Sequence, residues 1–148
     1  MHKMIDIPPV WLASFAAIAY LQGQMVPTDV VPATDFIGGV LVAIGLGLMV
    51  LAFVEFIRHK TTVIPHQHAS SLIDTGIFNL TRNPIYLGDA LVLAGLCLRW
   101  EASISLILVP VFVWMITKRF ILDEERRLLA AFGGVFSDYM KRTRRWVI

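Results

Sequence analysis

The chain has little charge and a single cysteine for its length. Of its 148 residues, 16% are charged and 57% are apolar. An ordinary soluble domain has about 25% charged and about 45–50% apolar residues, so this composition excludes that class and indicates an integral membrane protein. Cys97 has no second cysteine for a disulfide or a metal site, and we interpret it as a packing residue.

Four apolar segments predict an all-α, polytopic membrane protein with four transmembrane helices. A helix needs about 20 apolar residues to cross the hydrocarbon, and the second segment, with Glu55 as its only charge, meets this best. The third and fourth segments are separated by residues 99–101 alone, which predicts a helical hairpin. A chain of this length forms one domain, 1–148. The predicted spans are about 9–26, 36–57, 84–98 and 102–121.

Small residues recur along the second predicted helix. Gly39, Ala43 and Gly47 lie four residues apart and share one face, where another backbone can approach closely. Chance repetition in a glycine-rich helix explains the pattern equally well. We expect the first helix to be the partner of the second.

Basic residues are distributed unevenly between the two ends of the spans. Twelve of the thirteen Lys and Arg residues fall on one side, and Arg99 alone lies on the other. Because these residues accumulate in cytoplasmic loops, we expect a multi-pass protein of a bacterial inner membrane with both termini, the loop 58–83 and the tail 122–148 in the cytoplasm. The basic run from Lys141 to Arg145 fits an anchor on anionic membrane lipids, and we expect no nucleic-acid partner.

Two acidic residues lie within the predicted spans, where a charge is costly and marks either function or a buried partner. Glu55 lies about one turn from the cytoplasmic end of the second helix, and Asp89 about one turn into the third. In a structural interpretation, Glu55 pairs with Arg58, and Asp89 with Arg82 or a neighbouring backbone group. In a functional interpretation, both acids belong to a polar ring in the cytoplasmic leaflet. The two interpretations are equally open.

The tail is predicted to open with an amphipathic helix that Gly133 and Gly134 terminate. At about 100° per residue, Glu125 falls inside the apolar face of this helix and Glu124 on its flank. A carboxylate inside an apolar face either meets a cation or binds a ligand.

The cytoplasmic loop leads into the third helix. Asn83 and Pro84 predict the helix start, with Asn as N-cap and Pro at the first helical position. Such an N-terminus presents backbone N–H groups and the positive end of the helix dipole, a receptor for a carboxylate or phosphate. Phe78 and Tyr86 add aromatic faces nearby. No metal site is predicted from the loop histidines, which lack cysteine or paired carboxylate at ligand spacing: His59, His66 and His68.

Two motifs carry a resemblance to a known family. The first, within Leu72 to Gly88, is TGIFNLTRNPIYLG, and the second, one hairpin later, is DEERRLLAAFGGVFSDY. Together they resemble the integral membrane methyltransferases of the isoprenylcysteine carboxyl methyltransferase and phospholipid methyltransferase superfamily. The resemblance implies methyl transfer from S-adenosylmethionine to a lipophilic or amphiphilic acceptor, with the cofactor in a pocket on the cytoplasmic side.

The resemblance also implies site residues by position. Its acidic pair falls on Glu124 and Glu125, and its acceptor-side arginine on Arg119, one residue out of the expected register. Asn83 stands where many members carry His, which keeps a hydrogen-bonding group and loses a titratable one. The implied catalytic residues are Arg119 and Glu124. The implied cofactor contacts are Ser70, Ser71, Leu72, Ile73, Phe78, Asn83, Pro84, Ile85, Tyr86 and Glu125.

We expect an in-line displacement at the sulfonium methyl, in which the protein aligns the acceptor and excludes water. An amine or thiol acceptor also needs a base, for which Glu124 is the candidate. The acceptor stays open between a phospholipid amine, a prenylated thiol acid and a small hydrophobic thiol. Four short helices are compatible with a homodimer. The competing interpretation is a non-catalytic membrane carrier or assembly protein that uses Glu55 and Asp89.

Overall fold

The computed structural model describes residues 6–28, 31–61 and 72–147. They form six α-helices, and no strand occurs among the described residues. The predicted all-α class is therefore confirmed for the described part of the chain. The helices are α1 (Pro8–Met25), α2 (Pro32–His59), α3 (Pro84–Arg99), α4 (Leu108–Ile116), α5 (Leu122–Phe132) and α6 (Gly134–Arg142).

Short irregular helical turns connect the longer helices. Turns of 3₁₀-helix occupy Gly76–Asn79 and Ser103–Ile107, and a π-helical turn, Thr117–Ile121, joins α4 to α5. The fourth predicted span and the tail helix are therefore one continuous helical rod, Ser103–Phe132.

The helix boundaries follow the prolines and glycines of the chain. Proline lies in the first turn of α1, α2 and α3, where its missing N–H leaves no hydrogen bond unmade. The predicted start at Asn83 and Pro84 is confirmed, and α5 ends after Phe132 as expected. Gly133 has a φ of 55°, a left-handed conformation that favours glycine. Gly134 then begins α6, so the glycine pair turns the chain between two helices.

The helix α3 is the most buried of the bundle and packs against α1, α2 and α4. It approaches α2 at two glycine pairs. A Cβ on Gly38 would lie 2.7 Å from the Gly95 oxygen, and a Cβ on Gly45 would lie 2.6 Å from the Gly88 oxygen. There is no room for a side chain at these points, so the two backbones pack directly against each other.

The predicted small-residue face of α2 is wrong. Ala43 is exposed, and a Cβ on Gly47 would meet nothing within 4 Å. The close approach uses Gly38 and Gly45 instead, because about two helical turns separate them and both oppose glycines of α3. The expected pairing of α1 with α2 is also wrong: α1 packs mainly against α3, which is the central helix.

Among the described residues, two helical segments are long and apolar enough to cross a membrane, namely α2 and the rod Ser103–Phe132. The helices α1 and α3, with 18 and 16 residues, do not qualify by the same measure. A broad apolar surface on α2 is exposed, and a surface of that kind favours contact with lipid or protein over contact with water. It includes Phe36, Val40, Ile44, Val50, Phe53 and Ile57.

Two apolar cores hold the bundle together. The first fills the space between α1, α3 and the rod, and it contains Ala19, Leu93, Phe112, Ile116 and Phe120. The second lies between α2, the loop that follows it and α6, and it contains Ala52, Ile73, Phe78, Phe136 and Tyr139. Consecutive residues at the start of α3 join the two cores, since Ile85 packs against the second and Tyr86 belongs to the first.

Candidate functional site

Four segments meet at the start of α3: the loop 72–83, the first turn of α3, the helix α5 and the tail 143–147. The tail is held by hydrogen bonds to the loop. The Arg82 amide donates to the Arg144 carbonyl at 2.9 Å. The Arg145 carbonyl accepts from Asn83 Nδ2 at 2.8 Å and from Thr81 Oγ1 at 3.1 Å. The last described turn of the chain therefore lies beside the predicted anion receptor.

The end of the tail is tied to the rod as well. Trp146 Nε1 donates to Thr117 Oγ1 at 3.2 Å, in the π-helical turn. Arg142 pairs with Asp74 of the loop and stacks on Tyr139, with its guanidinium carbon 5.6 Å from the ring centre. Part of the basic run thus makes contacts within the protein, whereas the side chains of Lys141 and Arg144 are exposed.

Tyr86 and Glu124 form the closest polar contact between α3 and α5. The Tyr86 hydroxyl donates to Glu124 Oε1 at 2.6 Å. Tyr86 is buried, and the Glu124 side chain is partly buried. This hydrogen bond links α3 to α5 and holds the Glu124 carboxyl group in a defined position.

Glu125, the neighbouring carboxylate, is occupied by cations of the protein. Arg145 donates to both of its oxygens, from Nε and from Nη2, at 2.9 Å each. Arg82 Nη1 lies 3.5 Å from Glu125 Oε1. Of the two outcomes expected for a carboxylate in an apolar face, the structure shows the first. The hydrogen bond to Glu125 raises the pKa of Arg145 above its ordinary value.

Arg82 is the least satisfied cation of the site. Its Nε and Nη1 atoms are buried, and neither makes a hydrogen bond within the described part of the chain. Burial lowers the pKa of this guanidinium, and the nearby Glu125 opposes that effect. A buried donor without an acceptor is costly.

The adjacent N-terminus of α3 is also open to an acceptor. Asn83 is the N-cap residue, as predicted, but among the described residues its side chain makes no capping hydrogen bond, because it donates to the Arg145 carbonyl instead. The backbone N–H groups of the first turn are therefore not satisfied by a side-chain cap. Together with Arg82, this end of the helix has the chemistry of a carboxylate receptor.

Several of the residues expected to contact the cofactor are packing residues of the second core. Ile73 and Phe78 are buried there, and Leu72 and Ile85 pack against them. The Phe78 carbonyl accepts from the Tyr139 hydroxyl at 2.7 Å. Burial raises the pKa of Tyr139 above its usual range. Pro84 is buried as well. Ser70 and Ser71, also expected contacts, lie outside the described residues, as do His66 and His68.

Glu55 is held by the loop that follows α2. The Thr75 hydroxyl donates to Glu55 Oε2 at 2.7 Å, and Arg58 Nη1 lies 3.5 Å from Oε1. A Cβ on Gly76, whose φ is 58°, would lie 2.5 Å from Glu55 Oε1. The pairing with Arg58 is confirmed, and the contact with Thr75 adds a link between α2 and the loop.

The surroundings of Asp89 differ from those of Glu55. It is 5% exposed, and it makes no hydrogen bond and no ion pair with any residue that the structure describes. The expected pairing with Arg82 is wrong, since the nearest carboxylate to that guanidinium is Glu125. The physical reason is that Glu125 projects from the facing helix α5 and reaches Arg82 first.

Arg119, the expected acceptor-side arginine, pairs with the N-terminal segment. Its Nε donates to Asp6 Oδ1 at 2.6 Å, and its guanidinium carbon lies 5.2 Å from the Trp11 ring centre. Trp11 Nε1 also donates to Asp6 Oδ1 at 3.1 Å. The Arg119 side chain is 49% exposed. None of these contacts involves Glu124 or Tyr86.

Sequence reasoning missed the residues that join the tail to the loop. Thr81 and Tyr139 give no signal in the sequence beyond a polar group near an apolar run, and Arg145 resembled one more basic residue of an anchor. Its bidentate pairing could have been suggested only by matching it to Glu125, which needed a cation. Among the described residues, no three His, Cys, Asp or Glu side chains converge in a manner suited to a metal ion.

The architecture and the site define a class: a helical membrane protein with a polar site at one end of its bundle, built from two motifs on either side of a helical hairpin. A model of the phospholipid methyltransferase family matches residues 33–134, well over half of the chain, and the protein belongs to this family. This membership agrees with the resemblance noted from the sequence. None of the curated proteins compared with the chain matches it. The family consists of membrane-associated methyltransferases that act on lipid-type substrates.

Proposed function

We propose that the protein transfers a methyl group from S-adenosylmethionine to a lipophilic or amphiphilic acceptor at the cytoplasmic face of the membrane. The observation that carries this proposal is the junction of the two family motifs. There, Tyr86 of the first motif binds Glu124 of the second, next to the buried and unsatisfied Arg82.

The residues at this junction fit the cofactor by their chemistry. The amino-acid part of S-adenosylmethionine carries a carboxylate, which is the acceptor that Arg82 Nε and Nη1 and the uncapped N-terminus of α3 lack among the described residues. When bound, the cofactor supplies an electrophilic methyl group on a sulfonium. We keep in this proposal the cofactor contacts that the family resemblance implies in the loop, at Ser70 to Ile73 and at Phe78.

The two acidic residues of α5 take different roles in this proposal. Glu124 is partly buried and bound only by Tyr86 in the described hydrogen bonds, so it is the candidate base for an acceptor proton. Both oxygens of Glu125 bind Arg145, so we assign it to holding the tail over the site and not to contacting the cofactor. Arg119 is the acceptor-side cation, at the surface beside Trp11.

The proposed topology has four spans with both termini in the cytoplasm. α2 and the rod Ser103–Phe132 are long enough alone. The helices α1 and α3 pack beside them, with α3 shielded inside the bundle. In this orientation the loop, the α5 glutamates and the tail all face the cytosol, from which a polar cofactor arrives. The acceptor enters from the lipid.

Calorimetric titration with S-adenosylhomocysteine tests the cofactor assignment. Protein in phosphatidylcholine nanodiscs is compared with Arg82→Gln, Tyr86→Ala and a matched control, Arg99→Gln, at the exposed opposite end of α3. We expect saturable binding by the wild type and the control, and affinities at least about tenfold weaker for the two site variants. Folded wild-type protein that does not bind would overturn the proposal, and normal binding by Arg82→Gln would overturn the role of Arg82.

The carrier interpretation is not favoured by the contacts of its two acids. Glu55 is bound to Thr75 and Arg58, and its contacts join α2 to a loop. A proton or ion path through Glu55 and Asp89 would need both carboxylates to face the same opening. The family membership favours an enzyme.

A further inference from the structure

The basic run near the end of the chain contains two kinds of side chain. Arg142 pairs with Asp74 of the loop, and Arg145 pairs with Glu125 of α5. The side chains of Lys141 and Arg144 are exposed, and they make no hydrogen bond or ion pair with any residue that the structure describes. The bound arginines hold the tail 143–147 to the protein, which leaves the other two cations available to a partner outside the bundle.

Contacts with the ends of two helices determine the level of this tail along the bundle. The Arg144 carbonyl accepts from the Arg82 amide at 2.9 Å, two residues before α3 begins. Trp146 Nε1 donates to Thr117 Oγ1 at 3.2 Å, in the π-helical turn of the rod. In the proposed topology both contacts lie at the cytoplasmic boundary of the membrane, where Trp is enriched. The exposed cations next to them therefore lie at the level of the lipid headgroups.

The rod supplies a third cation at this level. Lys118 directly follows Thr117, is exposed, and likewise makes no hydrogen bond or ion pair within the described part of the chain. The exposed side of the rod before it is apolar, with residues spaced three or four apart: Ile104, Ile107, Val111 and Trp114. An apolar helix surface that ends at a lysine suits contact with acyl chains below and lipid phosphates above.

The acidic residues of the neighbouring elements do not cancel these cations. Glu124 is bound to Tyr86 and interacts with Arg127. Asp138 is the exposed acid of α6, and its single charge opposes three cations. The surface therefore stays positively charged. Other nearby carboxylates are paired with other cations: Asp6 with Arg119, Asp74 with Arg142, Asp123 with Arg126 and Glu125 with Arg145.

We propose that Lys118, Lys141 and Arg144 bind the headgroups of anionic phospholipids, and that this contact holds the tail 143–147 against the start of α3. The charge of the surface determines the choice of partner, because each Lys or Arg close to an anionic membrane adds to the attraction, and a zwitterionic lipid has no net charge. The inference goes beyond the proposed function, since the contact needs neither cofactor nor methyl acceptor, and it uses only the proposed topology.

Hydrogen exchange of the tail in nanodiscs tests this contact. Wild-type protein is compared in phosphatidylcholine and in a mixture of phosphatidylcholine with phosphatidylglycerol. We expect phosphatidylglycerol to slow exchange of the amides of residues 143–147 at least about fivefold. Sodium chloride at about 1 M, which shortens the Debye length to about 3 Å, should remove this slowing. The salt comparison uses wild-type protein and does not depend on the folding of a variant.

Variants identify the residues responsible. The combined change Lys118→Gln, Lys141→Gln and Arg144→Gln should reduce the slowing to less than about twofold. The combination Lys118→Arg, Lys141→Arg and Arg144→Lys keeps every charge and should retain it. Arg99→Gln, at the opposite end of α3 in an exposed ion pair, is the control and should also retain it. Exchange of the central helix α3, measured in the same experiment, should be equal in all these proteins and reports the fold.

Three results would overturn the membrane contact. The first is equal exchange of the wild-type tail in the two lipid compositions, and the second is undiminished slowing in the triple Gln variant. The third is slowing by soluble polyglutamate in phosphatidylcholine nanodiscs that matches the effect of phosphatidylglycerol, which would assign the surface to an acidic protein. Failure of the proposed function would instead appear as absence of S-adenosylhomocysteine binding, a ligand that this experiment does not contain.

Discussion

Glu55 and Asp89 are buried to the same extent, 5% exposed each, yet they have opposite surroundings. Glu55 accepts a hydrogen bond from Thr75 and lies near Arg58 and His59. Asp89, on the central helix α3, has no hydrogen-bond or ion-pair partner among the described residues. Burial alone therefore does not separate a carboxylate that holds the fold from one available to a ligand, whereas the set of its partners does.

The two consecutive glutamates of α5 repeat this contrast within one helical turn. Glu125 binds Arg145 with both oxygens, and Glu124 binds one neutral hydroxyl. A carboxylate saturated by guanidinium donors has no capacity left for an acceptor proton, and it is suited to hold the tail. A carboxylate bound by a phenol keeps lone pairs for chemistry.

The largest expected effect separates the proposed base from the structural acid. Glu124→Gln keeps an oxygen for Tyr86 and removes the base, so methyl transfer should fall about 100-fold or more. Glu55→Gln should change it less than about threefold, since Glu55 touches only α2 and the loop. Initial rates with radiolabelled S-adenosylmethionine measure both. Comparable rates for the two variants would contradict the assignment of Glu124 as the base and Glu55 as a structural residue.

The free energy of unfolding should depend on Glu55 more than on the carboxylates of the proposed site. Glu55→Gln weakens contacts with Thr75, Arg58 and His59 and should lower the free energy of unfolding by about 1–2 kcal/mol. Asp89→Asn removes an unpaired buried carboxylate and should leave stability unchanged or increase it. Unfolding of both variants in one detergent, followed by tryptophan fluorescence, measures the difference. Equal destabilisation would show that Asp89 also holds the fold.

The link from Glu55 to the loop can be tested from its other side. Thr75→Val removes the hydroxyl that donates to Glu55 and should cost about 1 kcal/mol. Combined with Glu55→Gln, its effect should be less than additive, because both substitutions weaken one contact. Thr28→Val, at the opposite end, serves as the control, since its hydroxyl donates to the Glu101 carbonyl. Full additivity of Thr75→Val with Glu55→Gln would argue against the link.

The smallest expected change in stability is that of replacing Arg58, the ion-pair partner that the sequence predicted for Glu55. Arg58 is 71% exposed and 3.5 Å from Glu55, so Arg58→Ala should change stability by less than about 0.5 kcal/mol. The same fluorescence measurement detects it. A loss as large as that of Thr75→Val would mean that the ion pair, and not the hydroxyl, holds Glu55.

Local signals were predicted well from the sequence. The start of α3 at Asn83 and Pro84 and the end of α5 before Gly133 depend on residues adjacent in the chain. The need of Glu125 for a cation followed from its place in an apolar helical face. Contacts between distant residues were not predictable: the Asn83 side chain binds the Arg145 carbonyl, and Asp89 is left without Arg82.

The sequence also did not predict which face of α2 packs against another helix. Gly39, Ala43 and Gly47 and the pair Gly38 and Gly45 are equally regular in the sequence, and only the opposing glycines of α3 select the second set. A helix has several faces of small residues, but which one is used depends on what another helix presents.

The sequence by itself determined the membrane class, the helical fold, the start of α3, the end of α5 and the two family motifs, because these depend on composition and on neighbouring residues. Only the tertiary structure decided which carboxylate meets which partner. Ion pairs and hydrogen bonds form between groups within about 3–4 Å of each other, and the helix crossings that bring them so close are set by packing across the whole bundle. The tertiary fold therefore determines that Glu55 has hydrogen-bond and ion-pair partners and that Asp89 has none among the described residues.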